Sequence, residues 1–518
     1  MSIVALLTRF SHFFLSIIRN ISAEPGVVIN SLAGSIHTTA NQIGLYHVAC
    51  EKIIAKNEMT YSTYNSTIDC WGSNFTGWKD LEIQMQASAA NWNMIFSIAY
   101  TVPSVFADIF LGAYSDEKGR KYPILWGLFG CLISKLPWVF VFYWPVSAPL
   151  YTLVIGYAFG GLTGFFAVIS ISSAAYIADT VTDSRMLTIR MTVLSLASGI
   201  SNIIGPLIAK TLLAVNQYAG AVILALAIEL VSIYSAIALL KQVPPKQMRK
   251  IAQMKASGAT KEQIRLQLKK DSESIQNDQS FTNTIKMALA KVVELTKSVC
   301  FTFTKRRPSH GRAYLLILTA AVFLSSTAEN ITTGMIMTLF VQKSPFFWNQ
   351  NLISYFKSVA YAVCLIGSTL GIFLFKKRLQ LSDTLLIVIS LSSTILKCLL
   401  MSLSNMDWLL YVSAVAGFLA PLVQPCAQSF IAKTVEADEV GKAYTAFSLA
   451  TNLAMFANNL IFTGIYQATV TYFAGFVFLF CAFLLGCVLC MTIWIHVDHN
   501  NYYRLCWPRN KICVNEKF

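Results

Sequence analysis

Apolar runs about 20 residues long recur along the chain, separated by short polar segments, and this spacing sets the first expectation. A helix that crosses the hydrocarbon core needs about 20 mostly apolar residues. Twelve windows of that kind stand out: 25–47, 88–114, 123–144, 149–177, 186–209, 218–240, 313–341, 351–375, 383–403, 408–431, 443–466 and 470–496. The expected fold class is an all-α membrane protein with twelve transmembrane helices. Several windows contain Gly or Pro, which membrane helices tolerate when neighbours satisfy the freed backbone groups. Composition agrees: 55% of the residues are hydrophobic and 13% charged, against about 25% charged in an ordinary soluble chain.

Lys and Arg gather in the segments that are inner if the amino terminus is cytoplasmic, which puts both termini on that side. The net charge of +15 does not point to nucleic acid, because residues 241–312 hold 16 basic and 5 acidic side chains and so supply +11 of it. A basic loop tethered beside the inner leaflet is drawn to anionic lipid without a specific partner. Within it, Ile285, Ala288, Val292 and Leu295 recur at helical intervals with Lys286, Lys291 and Lys297 between them. That pattern fits an interfacial helix or a short cytosolic one equally.

The segment 48–87 is the largest outer loop. It contains two glycosylation sequons, at Asn65 and Asn74, on the face that the charge rule makes external. Of the 12 cysteines, Cys50 and Cys70 fall on that side, where an oxidising compartment allows a disulfide between them; two free thiols are the alternative. No metal site or cofactor is expected.

Six windows, a long polar segment and six more windows invite alignment of the halves. The division expected is an inner segment 1–24, a bundle 25–240, a basic linker 241–312, a second bundle 313–496 and a tail 497–518. Leu111-Gly112 recurs as Leu370-Gly371, Ala178-Asp179-Thr180-Val181 resembles Ala432-Lys433-Thr434-Val435, and Lys135 and Lys397 lie at similar depths. Together these favour two pseudo-symmetric six-helix bundles with a binding site between repeats.

The loop between the second and third windows, Gly112-Ala113-Tyr114-Ser115-Asp116-Glu117-Lys118-Gly119-Arg120-Lys121, closely resembles the signature loop of the major facilitator superfamily. A stop-transfer cluster would explain Lys118, Arg120 and Lys121, but neither the paired glycines nor Asp116. The resemblance implies a conformational latch at the inner rim. In it Asp116 faces the positive end of the eleventh helix and Arg120 pairs with Asp179. A closer resemblance, to solute-carrier family 46 with its proton-coupled folate transporter, rests on Ala23-Glu24-Pro25, Ala175 to Asp179, Phe347-Trp348-Asn349 and Val440-Gly441-Lys442-Ala443. It implies a secondary transporter driven by a proton gradient. The sequence departs from the folate carrier in having no Glu in 186–209, no His in 313–341 and no Arg in 408–431. Folate and those coupling groups are therefore not carried over.

Ionisable side chains in mid-membrane cost at least about 2.5–3.5 kcal/mol on insertion scales and are functional candidates by default. Glu329 is the first candidate for proton or substrate work, because the seventh helix lines the cavity in the superfamily. Glu229, Lys135 and Lys397 lie on peripheral helices, where they snorkel or satisfy neighbours. Lys357 could neutralise an anionic substrate or reach the outer headgroups. His37, Gln424 and Asn452 are further candidates to line the cavity, and Asp108 belongs with the signature loop. The expected function is alternating-access transport of a small organic solute, anionic or amphipathic, with proton coupling and a monomeric carrier among lipids. The alternative is a transporter-like receptor or sensor. No catalytic constellation marks an enzyme. Tyr502-Tyr503-Arg504-Leu505 fits a tyrosine sorting pattern, so plasma and endolysosomal membranes are both open.

Overall fold

A computed structural model describes residues 22–56, 78–181, 184–215, 217–256, 310–434, 451, 453–454 and 456–506. Asn65, Asn74, Cys70, Asn452, most of the basic linker with its 281–304 stretch, and the start of the eleventh window lie outside the described residues. The protein is all-α and spans the membrane many times. Among the described residues, ten helices are long and apolar enough to cross a bilayer.

The chain divides into two compact units, Met1–Asn41 with Ala99–Val292 and Gln42–Ile98 with Val293–Phe518. The division runs through the first two helices, α1 (Glu24–Lys56) and α2 (Trp78–Lys118). α1 fills the first predicted window but is not among the ten apolar spans. Its Asn30, Ser31, His37, Thr39 and Asn41 are all buried, so a polar helix is kept by internal partners where lipid would reject it.

The first unit continues with α3 (Lys121–Tyr143), α4 (Tyr151–Leu162), α5 (Phe165–Thr180), α6 (Ser184–Leu213), α7 (Tyr218–Leu239) and α8 (Pro245–Ala256). α4 and α5 share the fourth predicted window, interrupted where Gly164 takes a φ of +71°, a conformation that costs glycine little. The Gly160 carbonyl accepts from both the backbone N–H of Thr163, at 3.2 Å, and its hydroxyl, at 2.6 Å. α3 packs on α4, α5 and α7. Ile124, Leu128, Ile169, Tyr176, Ala236 and Leu240 form a core there that Met248 of α8 also joins.

The second unit holds α9 (Gly311–Thr333), α10 (Met335–Gln342), α11 (Gln350–Gly371), α12 (Asp383–Ser402), α13 (Asp407–Ala416), α14 (Val423–Thr434), α15 (Thr463–Thr469) and α16 (Phe476–Cys506). The seventh window breaks at Gly334 between α9 and α10, and the tenth between α13 and α14, around Pro421. Ser393 donates its hydroxyl to Ala416 O at the second break, and Thr338 adds its hydroxyl to Gly334 O, which also accepts the Thr338 backbone N–H. Large apolar side chains stand outward on the spans, including Phe106, Tyr234 and Phe483 at 72%, 72% and 66% exposure. In water such a surface would aggregate; in lipid it is the solvated face.

Candidate functional site

The signature loop closes into a charge cluster within the first unit. Arg120 donates through Nε to Asp179 Oδ2 at 3.1 Å and through Nη1 to Ser115 Oγ at 3.0 Å. Asp179, at the end of α5, is 3% exposed, and its other oxygen accepts from Arg249 Nε of α8 at 2.8 Å. One buried carboxylate therefore holds two guanidinium groups. Gly119 has φ +113°, and a Cβ there would stand 2.7 Å from Val243 O, so only glycine fits the turn that aims Arg120. Lys121 Nζ caps the last turn of α7 on Ile237 O at 2.9 Å, where a helix leaves carbonyls unsatisfied. Gln242 fastens the loop from the other side, donating to Lys118 O at 2.6 Å and accepting from Tyr122 N at 3.2 Å. Gly112 and Asp116 lie in the last turns of α2; the Asp116 side chain is outside the described set.

Among the described residues, two further ion pairs lie inside this unit. Lys135 of α3 donates to Glu229 Oε2 of α7 at 3.0 Å, with side chains 2% and 0% exposed, and to Cys131 O at 2.9 Å. Asn30, with its amide oriented by the network, donates to both Glu229 oxygens at 2.9 and 3.1 Å. Lys135 and Glu229 therefore satisfy each other rather than snorkel. Arg190 of α6 donates to Glu24 Oε1 at 2.5 Å and to Ser22 Oγ at 3.0 Å, tying α6 to the start of α1. His37 is buried, its Nε2 2.7 Å from the Asn41 amide and its ring edge-on to Trp138. Asp108 places a buried Oδ1, without a hydrogen-bond partner among the described residues, beside the break at Gly164 rather than in the Arg120 cluster.

In the second unit, Lys357 of α11 is 3% exposed and donates to Gln42 Oε1. The headgroup reading of Lys357 fails on this burial: the ammonium points inward to a neutral amide. Lys397 is equally buried, its chain lying against Gly417 at the break after α13. Glu329 is exposed, one turn before the break at Gly334, and within electrostatic range of Tyr361 and Cys364 on α11. Gln424 is half-buried in the first turn of α14. A polar seam joins the amino-terminal half of α2 to later elements: Gln86 donates to Leu339 O at 3.2 Å and accepts from Tyr466 OH at 3.0 Å. Gln467 donates to Asn91 Oδ1 at 3.0 Å, and Ser344 N to the buried Glu82 at 3.3 Å. Cys50 is disulfide-bonded.

Sequence reasoning missed Arg249 and the Glu24–Arg190 pair. Arg190 carried a usable signal, since an arginine within an apolar window must find an acid or water. Arg249 carried none, being one of 16 basic residues in its segment.

Many apolar spans, interrupted helices and ion pairs buried between the spans define a multi-pass integral membrane protein. The sequence matches the family model described as Major Facilitator Superfamily over residues 57–458, and the chain belongs to that superfamily. Kinship to solute-carrier family 46 is distant. The chain is 24% identical over 405 residues to the proton-coupled folate transporter of Bos taurus, covering 78% of each protein. It is 23% identical over 475 residues to the lysosomal proton-coupled steroid conjugate and bile acid symporter SLC46A3 of Gallus gallus, covering 91% of this chain and 93% of that one. The fold is similar to a crystal structure of the peptide transporter POT in complex with sulfate, with a TM-score of 0.59, 12% identity, and 92% and 95% of the two chains covered. It is also similar to the human organic anion transporter MFSD10 (TETRAN), with a TM-score of 0.57, 14% identity, and 91% and 98% covered. The protein is a secondary active transporter that moves a small organic solute by alternating access.

Proposed function

We propose that the solute is an organic anion carried together with protons, with Lys357 as its counter-charge and Glu329 as the proton-carrying carboxyl. The observation that carries this reading is the surroundings of the Lys357 ammonium, which is buried and turned to the neutral amide of Gln42. In the first unit the buried cations Lys135, Arg190 and Arg120 each hold a carboxylate. Lys357 holds only the Gln42 amide, and no carboxylate lies within salt-bridge distance of it among the described residues. A buried charge without an opposite charge costs several kcal/mol, and an anionic solute would offset that cost while it is bound. Two relatives named above are proton-coupled by name, which supports the coupling. The exposure of the Glu329 carboxyl beside a helix break supports its part in proton exchange.

In this reading 25–240 and 313–496 are two bundles that rock about the solute, with the Asp179 cluster on the cytoplasmic rim and the 48–87 loop outside. The name of the chicken relative supports an endolysosomal location over the cell surface.

Uptake by reconstituted proteoliposomes tests the proposal. Lys357→Gln is expected to raise the KM for an anionic substrate about tenfold or more, equivalent to about 1.4 kcal/mol, while Lys357→Arg keeps part of the affinity. An unchanged KM in the glutamine variant removes Lys357 from recognition. Glu329→Gln is expected to flatten the pH dependence of uptake at constant membrane potential; a pH profile that keeps its shape rules out Glu329 as the coupling group.

A further inference from the structure

A cavity of about 670 Å³ opens on the first unit between the last turns of α2, the first turns of α3, the end of α4 and the end of α7. It has the build of an amphiphile site. Its depth is apolar, walled by Phe110, Trp126, Phe129 and Leu162. Trp126, Phe129 and Leu162 are 46%, 42% and 62% exposed, large apolar surfaces that no part of the described chain covers. Its mouth is polar. Tyr114 and Tyr122 line it with their hydroxyls within electrostatic range of each other. The Lys121 ammonium sits 2.9 Å from the carbonyl of Ile237, itself a lining residue.

We propose that this groove binds an anionic glycerophospholipid of the leaflet that meets the signature loop, one acyl chain in the groove and the phosphate at Lys121. Charge complementarity selects the occupant. Lipid tails are as apolar as the groove wall, so every bilayer lipid gains the same from the apolar part. Discrimination must come from the headgroup, where the lysine and two phenol donors favour a phosphate that carries a net negative charge. A lysine at an anionic surface accounts for about a fivefold preference. The site also has a consequence for transport. Tyr114 lies on α2 and Tyr122 on α3, on either side of the Gly119 turn that aims Arg120 at Asp179. A lipid bridging the two helices therefore braces the turn and favours the state in which the charge cluster is closed.

The test uses the full-length protein in nanodiscs of phosphatidylcholine doped with a photoreactive-acyl phosphatidylglycerol, with crosslinks mapped by mass spectrometry. Crosslinks are expected on Phe110, Trp126 or Phe129, competed by unlabelled phosphatidylglycerol about fivefold better than by phosphatidylcholine. Lys121→Gln should abolish that preference and Lys121→Arg retain it, both with unchanged elution on size exclusion. Equal competition by the two lipids would overturn the proposal, leaving an ordinary annular lipid. Competition by a soluble amphiphile such as cholate, with none by phosphatidylglycerol, would overturn it in favour of a solute site. A crosslink pattern away from the groove would also overturn it.

Discussion

Glu229→Gln is expected to destabilise the first unit by about 3–5 kcal/mol, the usual loss when one partner of a buried ion pair is removed. The geometry explains the size. Among the described residues Lys135 Nζ has two acceptors, the Glu229 carboxylate and Cys131 O, and both side chains of the pair are excluded from solvent. A glutamine can keep one hydrogen bond to Lys135 but leaves its charge without an opposite charge in a medium where water cannot reach it. Asn30 loses as well, because its amide is oriented to donate to both carboxylate oxygens. The measurement is the apparent unfolding temperature of the purified protein in detergent, which should fall by several degrees. The double variant Lys135→Met with Glu229→Leu is the decisive companion, since replacing both charges by apolar groups of similar volume is often neutral. Recovery in the double variant assigns the pair to stability. Loss of uptake in a double variant that has regained its stability would instead assign it to transport, and an unchanged unfolding temperature in Glu229→Gln would contradict the burial argument.

What the sequence revealed and what it hid follow from the range of the interactions involved. Span positions were legible because they rest on local apolarity: the ten apolar helices fall on ten of the twelve windows. The breaks at Gly164 and Gly334 were not, since both glycines lie in runs that read as continuous helix, and only the backbone of neighbouring helices decides where a span can afford to open. The pairing of Arg120 with Asp179 could be anticipated because the signature loop has a fixed spacing and resembles that of a known family. The third member, Arg249, comes from a segment whose basic residues are alike in sequence. The environment of Lys357 was the least accessible. Whether a lysine near a span end reaches headgroups or turns inward depends on the amide of Gln42, 315 positions away in the chain.

Asp179→Asn should cut the uptake rate by about tenfold or more, while the amount of protein at the membrane falls much less. The carboxylate serves two cations of different exposure, 11% for the Arg120 side chain and 65% for Arg249, and this asymmetry predicts a rank order. Losing Asp179 takes a carboxylate from both, but Arg249 can return to water at little cost, as exposed pairs contribute about 0–1 kcal/mol. Arg120 cannot, because it is held in place by the Gly119 turn and by Ser115. The expected order of transport loss is therefore Asp179→Asn, then Arg120→Gln, then Arg249→Gln, with the last close to wild type. Uptake normalised to surface biotinylation separates transport from folding. If Arg249→Gln were as damaging as Arg120→Gln, the linker's α8 would be part of the latch rather than its solvated edge. A proportional fall of uptake and abundance in all three would make the cluster a folding element, and the rocking mechanism would need a different fastening.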